Sequence, residues 1–262
     1  MKWHRIWALL YKYWCLSYRS LDRIFDIFYW PVVGLLIWGF TSSYIKNFPN
    51  AGMVVNFFMG GAILFTFFWR AQTDIGTFIL EDFWSRNLYN IFSTPLKPIE
   101  LLVSISLIGI IRSIISFALL AFLASLIYSF DILNIGIYAI LLFASNLMFF
   151  GWVVGIFVSA LIFIFGLRIQ VFAWSLGFLI EPFSCVYYPL DSLPQWMQII
   201  SKCLPTTYIF EGMRYAYLNN SLSMELLFKS YGITIILLFT SYYFFIYSLN
   251  QAKKIGVLVR EE

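Results

Sequence analysis

From Leu133 to Phe165 the chain carries no charged side chain. A run of that kind fixes the solvent before it fixes the fold. An apolar slab of about 30 Å is crossed by roughly 20 helical residues, each rising about 1.5 Å. Six runs approach or exceed that length: Ile27–Ile45, Met53–Trp69, Leu101–Tyr128, Leu133–Phe165, Val171–Tyr187 and Leu226–Leu249. None alternates apolar with polar residues, as the strands of a membrane barrel must. Charged residues make up 11% of the chain, against about 25% in soluble domains. So few charges cannot clothe a water-facing surface, which excludes soluble enzymes and disordered tails. A net charge of +4 is too small and too dispersed for a nucleic-acid footprint. Three cysteines and one histidine give neither a disulfide framework nor a set of metal ligands. The expected fold is an all-α integral membrane protein with six transmembrane helices.

Lysine and arginine in the flanking segments orient those spans. With the amino terminus inside, twelve of the seventeen, from Lys2 to Arg260, fall on the cytoplasmic side. Four (Lys46, Lys202, Arg214 and Lys229) fall outside, and Arg112 lies within a span. Both termini are then cytoplasmic, which an even number of crossings requires. The first 25 residues read as an interfacial helix and not as a cleaved signal. Arg5, Lys12, Arg19 and Arg23 share one sector, and Trp3, Trp7, Leu10, Trp14 and Leu21 occupy the opposite one. A helix packed on a partner is the other reading of the same stripe.

Two segments between spans carry structure of their own. In the cytoplasmic stretch from Arg70 to Pro98, Trp84, Leu88 and Ile91 recur at helical spacing, with Asp82, Arg86, Asn87 and Asn90 on the remaining faces. Pro95 ends this short helix and Pro98 opens the next span, with Glu100 at the positive end of its dipole. Such a helix either docks into a groove on another protein or rests on the membrane surface. Spacing alone does not choose. The external stretch from Cys185 to Glu225 holds two semi-apolar segments, Leu193–Leu204 and Tyr208–Leu218, both too short to span. Broken backbone at membrane depth is tolerated only against protein or a water-filled path, so this stretch reads as a re-entrant hairpin capping a pathway. Cys185 and Cys203 lie near it, either bridged or as two free thiols.

Arg112 and Glu181 are the ionisable residues set deep in spans. Their similar depth makes them candidates for an intramembrane pair. Gly151-x-x-x-Gly155 permits close helix approach, for which packing within the chain is explanation enough. There is no G-x-x-x-x-G-K-[ST] loop to bind nucleotide phosphates, and no G-x-S-x-G nucleophile turn. A membrane-embedded transferase is the alternative function, and it would make Glu81, Asp82, Asp191 or Glu211 indispensable.

The order of elements, with certain local strings, resembles the ABC-2 type permeases, the transmembrane subunits of bacterial ABC exporters. The strings are Phe28-Tyr29-Trp30-Pro31 through Trp38-Gly39-Phe40, Trp84-Ser85-Arg86-Asn87 leading to Ser93-Thr94-Pro95-Leu96-Lys97-Pro98, Tyr187-Tyr188-Pro189-Leu190-Asp191-Ser192-Leu193-Pro194-Gln195-Trp196, and Leu204-Pro205-Thr206-Thr207-Tyr208-Ile209-Phe210-Glu211-Gly212-Met213-Arg214. The resemblance covers nearly the whole chain, 1–262, as one transmembrane domain. Within it lie the interfacial helix (1–25), spans 1 and 2 with a coupling helix (27–98), spans 3 to 5 (99–187), the external hairpin (188–225) and span 6 with a cytoplasmic tail (226–262).

That resemblance implies an exporter subunit of the bacterial plasma (inner) membrane, paired as a homodimer among membrane lipids and served by a separate ABC ATPase. ATP and Mg would bind that partner, with no cofactor, metal or catalytic residue in this chain. Asp82, Trp84, Arg86, Asn87, Leu88 and Ile91 would form the coupling-helix contact with the ATPase. Pro189, Trp196, Glu211 and Arg214 would belong to the outer gate. Relatives export lipid-linked polysaccharides, lipids, drugs or antibiotics, so the cargo implied is amphipathic.

Overall fold

The computed structural model describes residues 2–46 and 52–255. The tail after Ile255, with Arg260, lies outside the described residues. Among the described residues ten α-helices follow one another: α1 (Trp3–Arg19), α2 (Leu21–Ile45), α3 (Gly52–Trp84), α4 (Asn87–Ser93), α5 (Pro98–Tyr128), α6 (Ile137–Phe165), α7 (Phe172–Ile180), α8 (Gln195–Cys203), α9 (Pro205–Asn219) and α10 (Met224–Ile255). No strand occurs among the described residues. Helix is the economical answer, since an apolar slab offers nothing to an unpaired backbone group.

Five of these helices are long and apolar enough to cross a membrane: α2, α3, α5, α6 and α10. The expected count of six is therefore not met by continuous helices. The run Val171–Tyr187 folds as the nine-residue α7 and a turn at Glu181–Phe183, each too short to cross alone. Its track is nonetheless informative. Gln170 meets Trp84, Ala173 meets Gln72 and Gly76, Phe178 meets Trp69, and Val186 meets Gly61. The broken segment thus runs antiparallel along α3, from Trp84 up to Gly61, over about 34 Å of helix at 1.5 Å per residue.

The core is α3 laid against α6. Phe68, Ala71, Ile75 and Ile79 of α3 are fully buried, as are Val158 and Ile162 of α6. Gly151 explains the closeness, because a Cβ there would stand 2.6 Å from the Phe68 carbonyl oxygen and 2.6 Å from the Ala71 Cβ. The Gly151-x-x-x-Gly155 pattern serves packing within the chain, as its spacing allowed. On the far side of α6, Asn146 Nδ2 donates to Ser230 Oγ at 2.6 Å, and Thr234 Oγ1 donates to Asn146 Oδ1 at 2.8 Å, tying in α10.

α3 runs 15 residues past the expected end of its span at Trp69. Arg70, Asp74 and Asp82, assigned by sequence to a cytoplasmic loop, are helical and buried. Charge did not end the helix because each of these residues meets an opposite charge on a neighbouring helix, while Ile75, Phe78 and Ile79 continue the apolar face between them.

α1 breaks from α2 at Ser20, whose backbone is extended. Arg23 therefore belongs to α2 and not to the amino-terminal stripe. α1 buries Ile6, Leu9 and Tyr13, and turns Trp3, Trp7, Tyr11 and Tyr18 outward. Glu100, at the first turn of α5 as expected, accepts from the backbone N–H of Lys97 at 3.0 Å and of Lys2 at 2.8 Å. One buried carboxylate thus caps α5 and anchors the chain's amino-terminal end.

In the external stretch Pro194 and Pro205 immediately precede and open α8 and α9, close to the expected segments. α9 buries Ile209, Phe210 and Met213, whereas α8 exposes Trp196, Ile199 and Ile200. Cys185 and Cys203 are free thiols.

Candidate functional site: a charged clasp beneath an aromatic groove

Arg112 does not pair with Glu181. Its Nη1 donates to Asp74 Oδ1 at 2.5 Å and its Nη2 to Asp26 Oδ2 at 3.2 Å. Asp26 also accepts from Arg70, and Arg23 Nε donates to Glu81 Oε1 at 2.9 Å with its guanidinium 3.8 Å from the centre of the Phe78 ring. Three arginines and three carboxylates, drawn from α2, α3 and α5, make a neutral cluster. Asp74 sits ten residues, or about 15 Å of helix, from the α3 terminus at Trp84. Buried charges survive only when paired and hydrogen-bonded, and the cluster meets that condition by crossing three helices. Sequence reasoning missed it because span boundaries were drawn at the charges themselves. The i,i+4 spacing of Arg70 and Asp74 was the available sign that both share one helix face.

Further along α3, toward its carboxyl-terminal end, α1 and α3 receive the short helix α4. Asp82 accepts from Tyr13 Oη at 2.6 Å, from Asn87 Nδ2 at 3.1 Å and from Lys12. Burial and the Asp82 charge push the Tyr13 phenol well above its ordinary range, so it stays a donor. Leu88 and Ile91 are buried, and Asn87 is half-buried. Four of the six residues expected at the partner contact are thus turned partly or wholly into the protein, where they seat the helix. Asp82 lies on α3 and not on the short helix at all. Trp84, Ser85, Arg86, Tyr89 and Asn90 form the outward face. The chain reverses at Arg86, whose left-handed backbone (φ 55°) separates α3 from α4. Trp84 Nε1 donates to Gln170 Oε1 at 3.1 Å, joining this corner to the start of the broken segment.

At the opposite end of the bundle the residues expected in the outer gate fall into two groups. Arg214 is buried, and its guanidinium donates to Glu211 Oε1 at 3.1 Å, to the carbonyls of Val186 and Tyr188 at 3.3 and 2.8 Å, and to that of Cys185. Glu211 also accepts from Leu190 N at 2.9 Å. Burial lowers the Arg214 pKa, and Glu211 opposes that shift. Together they latch the 185–190 turn onto α9. Pro189 and Trp196 are exposed, with Trp196 edge-on to Phe183.

Between these ends lies a groove of about 340 Å³ walled by α2, α3 and the broken segment. Trp30, Trp38, Phe65, Trp69, Phe178 and Tyr187 are its aromatic lining, and Glu181 is the one charged lining residue among the described residues. Glu181 accepts from Tyr187 Oη at 2.7 Å, and Tyr187 stacks on Trp38 with ring centres 3.7 Å apart. The sequence held no periodic sign of this groove, because its walls come from three distant segments. Glu81, Asp82 and Glu211, three of the four carboxylates a transferase would require, are spent on ion pairs with Arg23, Lys12 and Arg214.

Residues 4–218 match the family model described as ABC-2 type transporter. No curated protein matches the chain.

Proposed function

The chain belongs to the ABC-2 type transporter family of multi-pass membrane permeases, and we propose that it is the permease subunit of an exporter driven by a separate ATP-hydrolysing protein. The observation that carries this reading is the cytoplasmic corner. The end of α3 and the short helix after it turn Trp84, Arg86 and Tyr89 outward, while Leu88 and Ile91 root α4 in the bundle. That geometry suits a lever seated in a partner's cleft better than a helix lying on lipid, whose apolar side would face outward. ATP and Mg would be held by the partner.

α3 makes the mechanism concrete. Its carboxyl-terminal end carries the lever, its middle carries Arg70 and Asp74, and its amino-terminal half walls the groove with Ala62, Phe65 and Thr66. A helix of 33 residues is about 50 Å long and moves as a rod. Displacement of the lever by a closing ATPase dimer is thereby delivered to the groove wall, a rigid-body route between two states. In this reading the segment 170–186 is a broken sixth crossing, which its antiparallel track along α3 supports. Both termini are then cytoplasmic, the membrane is the bacterial plasma membrane, and a second copy completes the pathway. The cargo is an amphipathic molecule.

The test is purification of the tagged chain in mild detergent, followed by an ATPase assay on the eluate. A co-purifying protein with a phosphate-binding loop and vanadate-sensitive hydrolysis is expected. Trp84→Glu should insert normally yet lose partner binding or uncouple hydrolysis from transport. A chain that emerges alone and without ATPase under gentle extraction refutes the assignment.

A further inference from the structure

The groove's chemistry narrows the cargo. We infer that it binds an amphipathic monocation, with aromatic walls holding the apolar body and Glu181 receiving the positive charge. This rests on the permease reading for its purpose, though the binding itself can be tested without it.

Three observations carry the inference. A volume of about 340 Å³ falls in the range of small-molecule sites. Trp30, Trp38 and Trp69 line it, and indole is the best aromatic partner for a cation. Glu181 is half-buried at the wall, and the single hydrogen bond it receives, from Tyr187 Oη, leaves its second oxygen to a ligand. The contrast with the clasp below is instructive. There Asp26, Asp74 and Glu81 are each matched by an arginine, whereas among the described residues no Lys or Arg lines the groove to balance Glu181. A carboxylate at membrane depth without a basic partner is costly unless a cation or a proton completes it. The same charge repels a phosphate, so a phosphate-linked glycan or lipid fits this surface poorly.

Two probes of nearly equal size and shape but opposite charge decide the matter: tetraphenylphosphonium and tetraphenylborate. Binding to the full chain in phosphatidylcholine nanodiscs would be measured by equilibrium dialysis, with empty nanodiscs as the reference for partitioning. The cation should bind at least tenfold more tightly than the anion. Glu181→Gln keeps an oxygen to accept from Tyr187 and removes only the charge, so it should cost the cation about tenfold and leave the anion unchanged. Gly34→Leu fills open space in the groove, since no atom lies within 4 Å of a Cβ at Gly34, and it should weaken both ions. Repetition with sphingosine added, a lipid amine without phosphate, tells a free cation, whose binding persists, from a lipid amine, which displaces the probe. Either result supports a cationic group at Glu181.

Equal binding of the two ions, or a charge preference that survives Glu181→Gln in a well-folded variant, overturns the inference. Partner-dependent ATPase without charge selectivity would remove the cargo class and leave the permease standing. Charge selectivity in a chain that recruits no ATPase would uphold the site and remove the permease.

Discussion

Arg112 gives the sharpest test of the clasp. Its guanidinium is 3% exposed and holds Asp74, itself 1% exposed, at 2.5 Å, while its second arm reaches Asp26 at 3.2 Å. Arg112→Ala would leave Asp74 buried without a cation, since Arg70 is engaged with Asp26. Removing one partner of a buried pair typically costs about 3–5 kcal/mol, mostly the penalty of the stranded charge. Asp74→Ala should cost less, because Arg112 retains Asp26. The double variant should be milder than the sum of the singles by about 1–3 kcal/mol, the signature of a shared interaction. Reversible unfolding in mixed micelles, followed by tryptophan fluorescence or circular dichroism, measures all four corners of the cycle. The matching cycle with Glu181→Ala should be additive within about 0.5 kcal/mol. If Arg112→Ala costs under about 1 kcal/mol, or if the coupling appears with Glu181 and not with Asp74, the clasp is wrong and the depth-matched pair returns.

Two further expectations follow from local geometry. Gly151→Ala should destabilise by about 1–3 kcal/mol, because its Cβ would press on the Phe68 carbonyl oxygen at 2.6 Å, which only a backbone shift relieves. Gly34→Ala should stabilise α2 by up to about 1 kcal/mol, as its Cβ enters open space and the helix gains propensity; the same unfolding assay reads both. Arg214→Ala should unlatch the external turn, leaving the carbonyls of Cys185, Val186 and Tyr188 without their guanidinium donor. Limited proteolysis of the detergent-purified chain should then cut near Tyr188 faster than in the parent, and unchanged protection would count against the latch.

The parts legible in the sequence were those governed by one segment at a time. Apolar length marked the positions of α2, α5, α6 and α10, and Pro95, Pro98 and Glu100 marked the turn into α5. The starts of α8 and α9, at Gln195 and Pro205, fall close to the expected Leu193 and Tyr208. What stayed hidden required two segments to meet. Arg70 and Asp74 read as loop residues because a charge looks like a boundary until its partner is known, and their partners lie 44 and 38 positions away on other helices. Trp30, Trp69 and Phe178 lie far apart in sequence and meet only because α2, α3 and the broken segment bring them to one groove. Arg112 was singled out correctly as a buried charge needing a partner. The choice of Glu181 failed because equal depth on two helices does not say which faces turn toward each other.

α2 shows how the clasp and the groove depend on one another. Only 22% of its apolar window is buried, against 67% for α3, so it lies at the edge of the bundle and is held at particular points. At its lower end Arg23 and Asp26 enter the clasp, and higher up Trp38 stacks on Tyr187. Pro31, between these points, has no N–H to give the carbonyl of Ile27 one turn below. Ser116 Oγ of α5 donates to that carbonyl instead, at 3.0 Å. The helix is therefore pinned by side chains at the point where its own backbone ladder is interrupted, just below the groove. From Trp30 to Ile37 it forms one wall of the groove, with open space beside Gly34. Arg70 ties α3 to α2 through Asp26 below that span, and Tyr187 of the broken segment holds α2 through Trp38 above it, so the groove is bounded by an anchor at each end.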